Sequence, residues 1–510
     1  ISDGTEGLAA AQATGDLPAV NTTTCDMIEV APAGKPADPT SAGAGAEGTA
    51  MLEIVHDLAP GAQLWFGYFG LAVPGTLLDF IDAVDCLAAN TDVVVDDIGF
   101  YNAGPYDGTS SVSQNASTEL NRLLNRIRGY YTSVGNEGRK HYQEGYVDSN
   151  PANAAVNQHL FQPTAATTDA FALGATSSDP VSLKAGGTIR VNLTWDDPWA
   201  SSGNDYDLYL QRESDGAIVA SSTGTQNGTQ DPVESLTYTN PGAAGYFDII
   251  LNKAGAALPR TLETFIPRCD CEPLPGGPIH NYNTLSSNVS NNSDAGGGVL
   301  SLGAINASDP GADTIAPYSS NGPTNDGRIK PDAVAIDGVA VTGAGGFSNP
   351  FFGTSAAAPH AAAIAALLLS CNPRLKHGEA GDDPAGERLA LRVALLNSAV
   401  DLGTAGIDNA YGSGRLDAAG AAALGCATTT PPPAPTGVDL CPYSAPAAPV
   451  DAAGCSSAQV DDDADYVCNI FAAGGGPMPC SGADLCASGT AAGAPVDAAG
   501  CSIAQVDDDA

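Results

Sequence analysis

The stretch Phe351-Phe-Gly-Thr-Ser-Ala-Ala-Ala-Pro-His360, with an Ala- and Leu-rich run behind it, carries the strongest chemical signal in the chain. A tight Gly-Thr turn delivers the Ser355 hydroxyl to a helix N-terminus, where the dipole and the unpaired N–H groups stabilise a developing oxyanion. Small residues at 356–358 let that helix sit close against a sheet. A serine hydroxyl also needs a base within hydrogen-bond reach. A carboxylate can serve when its pKa rises, and a second carboxylate beside it raises it by like-charge repulsion. Elsewhere, Trp195-Asp-Asp-Pro198 and Asn204-Asp-Tyr-Asp207 bring Asp196, Asp205 and Asp207 to strand ends, which suits calcium held by oxygen ligands or equally polar loop tips.

The Ser355 segment resembles the nucleophile block of the subtilases, the subtilisin-like S8 peptidases, and further motifs follow that family's order over about 1–175 and 270–425. Tyr318-Ser-Ser-Asn-Gly-Pro323 with Asp326-Gly-Arg-Ile-Lys-Pro-Asp332 is similar to the segment that precedes the family's nucleophile. Val134-Gly-Asn-Glu-Gly138 resembles the strand end that carries the oxyanion-hole amide, so the resemblance gives Asn136 that role; the same Asn also suits a left-handed turn. Ile1-Ser-Asp-Gly4 corresponds to the Asp that ends the first strand, with Asp3 one place later than usual.

The departure lies at the base. Where a subtilase has His-Gly-Thr opening a helix that runs into Ala-Pro, this chain has Glu47-Gly-Thr49 and, downstream, Ala59-Pro60. A Glu here resembles the sedolisins, serine-carboxyl peptidases of the same fold. Their companion Asp one helical turn on is Met51, and their oxyanion-hole Asp is Asn136. The resemblance therefore implies a hybrid catalytic set of Asp3, Glu47, Asn136 and Ser355, with Glu47 and Asp3 sharing a proton and working best in acid. His56 lies about 900° round the helix from Glu47, on roughly the opposite face. His360 is expected to pack. Asp96 and Asp97 stand where the family's substrate strand runs, and either enter the acid site, favour basic substrate residues, or simply end a strand.

The elements that must position these groups read as an α/β fold, a subtilisin-like parallel sheet flanked by helices. Strand-like runs at Gln63–Phe66, Val93–Val95 and Tyr130–Val134 alternate with helical patterns over 47–58, 76–89 and 116–128 across residues 1–177. From 178 to 268 the period switches to two, as in an inserted all-β sandwich. The α/β pattern returns over 269–426 with the nucleophile, and the Ala-rich run from Ala361 to Leu369 reads as a buried helix. A Pro-rich linker spans 427–438. Residues 439–510 repeat internally and resemble thrombospondin type 3 repeats, which implies disulfide and calcium order, with Asp461, Asp463 and Asp465 as ligands. Each repeat closes a comparable short loop if Cys441 pairs with Cys455 and Cys486 with Cys501.

A formal charge of −39 argues against nucleic acid and anionic lipid as partners. No run of about 18 uninterrupted apolar residues suggests a membrane span. The 12 cysteines lack zinc-type spacing and read as disulfides of an oxidising compartment, with several Asn-x-Ser/Thr sequons alongside. Both ends look trimmed, so a signal, a propeptide or further repeats are expected beyond them. The expectation is a secreted serine endopeptidase acting on protein or peptide through an acyl-enzyme on Ser355. The alternative is an inactive subtilase-fold scaffold at the cell surface or in an extracellular assembly attached through the C-terminal region.

Overall fold

The computed structural model describes residues 1–26, 38–69, 76–153, 157–289, 298–378 and 383–426. Its centre is a sheet of four parallel strands in the order Ala333–Asp337, Val299–Asn306, Gly129–Ser133, Val93–Asp96. Every residue from Val299 to Ile305 is buried, as expected of a parallel strand covered on both faces. A second parallel pair joins Val20–Asn21 to Leu64–Trp65.

The helix Thr354–Cys371 lies on the sheet. Ala357, Ala358, Ala361, Ala362 and Ala365 form the near face and pack with Leu300, Leu302, Ala304, Ala333 and Ala335. Methyl-sized side chains are what allow helix and sheet backbones to approach this closely. By length and composition alone this helix could cross a membrane, but 72% of it is buried inside the protein, as befits a core helix. The helix Glu47–Leu58 packs beside it through Ala50, Met51 and Ile54, against Ala356, Phe351 and Val341.

The flanking helices run Thr76–Asn90 and Ser111–Asn121. The latter departs from the expected 116–128. It starts earlier because Ser110 caps it, accepting the Ser113 N–H at 3.1 Å. It stops earlier because Asn125 turns back to Glu119, and Arg128 is drawn inward to the buried carboxylate of Glu387.

Two antiparallel sheets follow the sheet strand Gly129–Ser133. One orders Ala217–Ser222, Tyr206–Arg212, Gly245–Lys253, Asp179–Leu183 and Cys271–Glu272; the other orders Val233–Thr239, Thr188–Trp195, Thr261–Cys269 and His141–Gly145. Val181, Leu193, Leu208, Phe247 and Ile266 share one core between them. This unit takes in His141–Gly145 and Cys271–Glu272, both outside the expected limits of 178–268. His141–Gly145 pairs along Thr261–Phe265, a partner far away in sequence.

Disulfides join Cys25 to Cys86, Cys269 to Cys271 and Cys371 to Cys426. The linker, the repeats, Asp461, Asp463, Asp465 and the pairs Cys441–Cys455 and Cys486–Cys501 lie outside the described residues.

Candidate active site

The nucleophile turn is built from backbone constraints. Gly353 has φ +115°, a region that L side chains rarely adopt, and a Cβ there would stand 3.3 Å from Asn136 Nδ2. Its N–H donates to Asp337 Oδ2 at 2.8 Å, and the Tyr318 hydroxyl holds the same oxygen. Ser355 is the second residue of the helix and 7% exposed. Its N–H belongs to the first turn, which has no intrahelical acceptor. Pro359, four residues on, has no N–H to return to the Ser355 carbonyl.

Asn136 follows the strand Gly129–Ser133 and locks onto this turn. Its Oδ1 accepts the Thr354 N–H at 3.0 Å and the Thr354 hydroxyl at 3.1 Å. With the carbonyl end so engaged, the amide Nδ2 is the end available to donate to an oxyanion.

Glu47 is the first residue of its helix, and glycines set its position. Gly45, at φ +116°, lies against the Asp3 carboxylate, and Gly48 against the Gly4 carbonyl; a Cβ at these positions would fall 2.1 and 2.4 Å from them. Asp3 Oδ1 accepts the Glu47 N–H at 3.1 Å, which suits a carboxylate at a helix N-terminus. The Glu47 carboxyl is buried beside Ser355 and Asp97, both of which favour its charged form. Burial, and then the charge of Asp3, push its pKa up, against the opposing pull of those two groups. Asp97 is pushed well above the usual carboxylate range, first by burial and then by the charge of Glu47.

Ser355, Glu47, Asp3 and Asn136 thus lie at one end of the sheet, at the C-terminal ends of its strands. The arrangement adds to the expected Glu47–Asp3 pair in one respect: Asp97 is a further carboxylate beside Glu47, and Asp3 accepts the Glu47 backbone N–H. Asp337 also braces the nucleophile turn and escapes sequence reasoning; an Asp closing the strand Ala333–Asp337 at this same edge is the signal that could have found it. His56 sits in the last turn of its helix. His360 Nδ1 meets the Ala356 carbonyl at 2.8 Å, and burial lowers its pKa, so it packs within its own helix.

Residues 40–414 match the Subtilase family, peptidase S8. The chain belongs to the subtilase family. It is a serine peptidase with the subtilisin-like α/β fold. Among solved structures, this subtilase is similar to a lanthipeptide protease, at 13% identity, covering 82% of this chain and 85% of that one with a TM-score of 0.37. It is also similar to the psychrophilic subtilisin-like protease Apa1 of Pseudoalteromonas sp. AS-11, at 13% identity, 84% and 94% coverage and a TM-score of 0.31. A third is Pseudomonas sedolisin, a serine-carboxyl proteinase, at 15% identity, 83% and 89% coverage and a TM-score of 0.31.

The carboxylates singled out for calcium near strand ends take hydrogen bonds from the protein itself or sit partly buried. Asp196 accepts the Thr261 N–H at 2.8 Å, and Asp207 accepts from Tyr209 and Asn252 at 3.1 and 3.2 Å. The pKa of Asp205 is raised by burial, with the charge of Asp207 adding to it. Among the described residues no three His, Cys, Asp or Glu side chains converge on a metal position.

Proposed function

We propose that this subtilase is an endopeptidase in which Glu47 does the work of the usual histidine. Glu47 takes the Ser355 Oγ proton as that oxygen attacks the scissile carbonyl. It then gives the proton to the leaving nitrogen, and the acyl group remains on Ser355. The Asn136 amide and the Ser355 N–H receive the oxyanion. The observation that carries this reading is the clustering of Glu47 and Ser355: Glu47 is held by its N–H to Asp3 Oδ1 at 3.1 Å, the turn before Ser355 is held by Asn136, and the Ser355 hydroxyl is placed to donate to a Glu47 carboxyl whose pKa burial and Asp3 raise. Glu47 acts as base only when ionised, so activity rises as pH passes its raised pKa; the preference for acid rests on the proton the Glu47–Asp3 pair shares, whose loss lowers the rate toward neutral pH.

The test is cleavage of an unfolded protein substrate, with fluorophosphonate labelling of Ser355 beside it. Glu47→Gln, which keeps the size and the hydrogen bonds, is expected to cut both by about 100-fold or more with an unchanged melting temperature. Labelling of Glu47→Gln at the wild-type rate rejects the assignment.

We further infer work outside the cell or in another oxidising compartment, supported by the three disulfides. The two antiparallel sheets are read as a sandwich domain inserted between the two halves of the peptidase. Calcium is proposed for Asp461, Asp463 and Asp465 on their alternating spacing, and for Asp196, Asp205 and Asp207 on their place near strand ends. Calorimetric titration of the full chain with calcium, with and without Asp463→Asn, decides it.

A further inference from the structure

A cleft of about 810 Å³ opens where the antiparallel sheets meet loops of the peptidase. Its floor is one row across the sheet that holds Thr188–Trp195, Thr261–Cys269 and His141–Gly145: Thr194 stands opposite Glu263, and Glu263 opposite Gln143. Leu193 and Leu262, one place along, turn into the core between the two sheets, so this row faces the other way. The far wall is formed by loops 105–109 and 323–327. Asn325 reaches from that wall to the floor. Its Oδ1 accepts the Gln143 amide at 2.8 Å, and its Nδ2 donates to Glu263 Oε2 at 2.8 Å and to the Pro105 carbonyl at 2.9 Å. None of the residues lining the cleft is Ser355, Glu47, Asp3 or Asn136.

Two features of these walls point to a ligand. Thr194 is 4% exposed, yet its hydroxyl has no partner, although Glu263 and Gln143 in the same row are both engaged. The indole N–H of Trp199, also in the lining, is sheltered and unpaired in the same way. A donor kept from water needs an acceptor. The second feature is charge. Asp107, Asp196, Asp197, Glu263 and Asp326 line the cleft, and none of the described residues lining it is Lys, Arg or His. Three of the five have a basic neighbour outside the lining: Arg260 meets Asp197 at 2.6 Å, Arg328 meets Asp326 at 2.6 Å, and His141 meets Glu263 at 3.1 Å. Asp107 and Asp196 have none. Asp107 Oδ1 accepts the N–H and hydroxyl of Thr109, and Asp196 Oδ1 accepts the Thr261 N–H, which leaves the Oδ2 of each for an incoming cation.

We propose that this cleft is an exosite, a place apart from Ser355 that docks a basic, extended segment of the protein substrate. A lysine or arginine of that segment binds Asp107 and Asp196, and its backbone carbonyls accept the Trp199 indole N–H and the Thr194 hydroxyl. An extended peptide offers both chemistries at once, an acceptor at every residue and cations on its side chains. A neutral sugar offers hydroxyls to the same groups but leaves the two carboxylates without a counter-charge. The proposal rests on the chain being a peptidase and not on Glu47 being its base.

The test is fluorescence anisotropy of a labelled, end-blocked hexa-arginine peptide with the full chain. It is run in Ser355→Ala to prevent cleavage, and with a chelator so that calcium does not compete for Asp196. Asp107→Asn and Asp196→Asn keep the Oδ1 acceptors for Thr109 and Thr261; each is expected to weaken binding about fivefold, and the two together about 20-fold. Trp199→Phe keeps a ring without the N–H and is expected to lose about threefold. Glu213 and Glu272 are exposed on the other sheet, outside the cleft. Glu213→Gln with Glu272→Gln removes the same charge as the Asp pair and should leave binding within about twofold. An Asp pair within about twofold of its parent, or a Glu pair that loses as much as the Asp pair, assigns the binding to overall charge and overturns the proposal. Saturable binding of maltohexaose without binding of the basic peptide assigns the cleft to sugar and overturns it as well. Loss of hydrolysis in Glu47→Gln, or its persistence, leaves peptide binding where it is, so the two readings fail separately.

Discussion

Asn136→Ala should damage the enzyme in two separable ways. The Asn136 Oδ1 takes both the N–H and the hydroxyl of Thr354, which is 0% exposed. Alanine strands these donors away from water, and an unsatisfied buried polar group costs about 1–3 kcal/mol of stability. The Nδ2 end faces the nucleophile turn, and removing one oxyanion donor lowers kcat by about 100- to 1000-fold, roughly 2.7–4 kcal/mol of barrier. The two losses add to different observables: denaturant midpoint for the first, kcat at saturating substrate for the second. Asn136→Asp divides them. Its carboxyl still accepts from Thr354, so stability stays within about 0.5 kcal/mol of wild type. Near neutral pH its charge opposes the oxyanion and activity falls below that of the Ala variant. In acid the carboxyl gains a proton, donates once more, and activity rises above that variant. A kcat for Asn136→Ala within about threefold of wild type would refute the oxyanion role, whatever happens to stability. An Asp variant as unstable as the Ala variant would refute the Thr354 argument.

Two further outcomes concern the scaffold. Burial works to raise the pKa of Asp332, but Lys330 at 2.7 Å and Arg392 at 2.9 Å outweigh it, and the folded value is lowered. A depressed carboxyl contributes stability that is present above its unfolded value, near 4, and is lost as pH falls through the folded value. Asp332→Asn should therefore lower the denaturant midpoint at pH 7, and by progressively less as pH drops below about 4; a pH-independent difference counts against the linkage. Glu387→Ala leaves the fully buried Arg128 without its carboxylate, although Arg128 still donates to the carbonyls of Asn125 and Ile127 at 2.9 Å. Such a break costs about 3–5 kcal/mol, visible as a shifted unfolding curve, and a loss under about 1 kcal/mol would show that water reaches the site.

Local chemistry makes the nucleophile segment readable in one dimension. Gly353, Thr354 and the run of alanines behind Ser355 each meet a nearby steric demand, so the turn and its helix follow from the order of residues. The strands Val93–Asp96 and Val299–Asn306 are readable for the same kind of reason, since strands buried on both faces are continuously apolar. The antiparallel strands announce themselves through period two. His141–Gly145 does not, because its place in that unit comes from pairing with Thr261–Phe265, and no local pattern reports a distant partner.

The candidate site divides along the same line. The resemblance to the subtilases marks Ser355 at the nucleophile place and Glu47 at the base place, the latter as a departure from the family's His. Which carboxylate stands against the Glu47 side chain is a different kind of fact. Asp3, Asp96 and Asp97 are equivalent in composition, and the family pattern favours Asp3. Only packing assigns Asp3 to the Glu47 backbone N–H, Asp96 to the Thr132 hydroxyl in the interior and Asp97 to the Ser2 hydroxyl beside Glu47. A strand sends successive side chains to opposite faces, so one residue of register decides whether an aspartate faces the core or the helix bearing the base. That register is set by the parallel pairing of Val93–Asp96 with Gly129–Thr132, a contact between distant parts of the chain that sequence order does not contain.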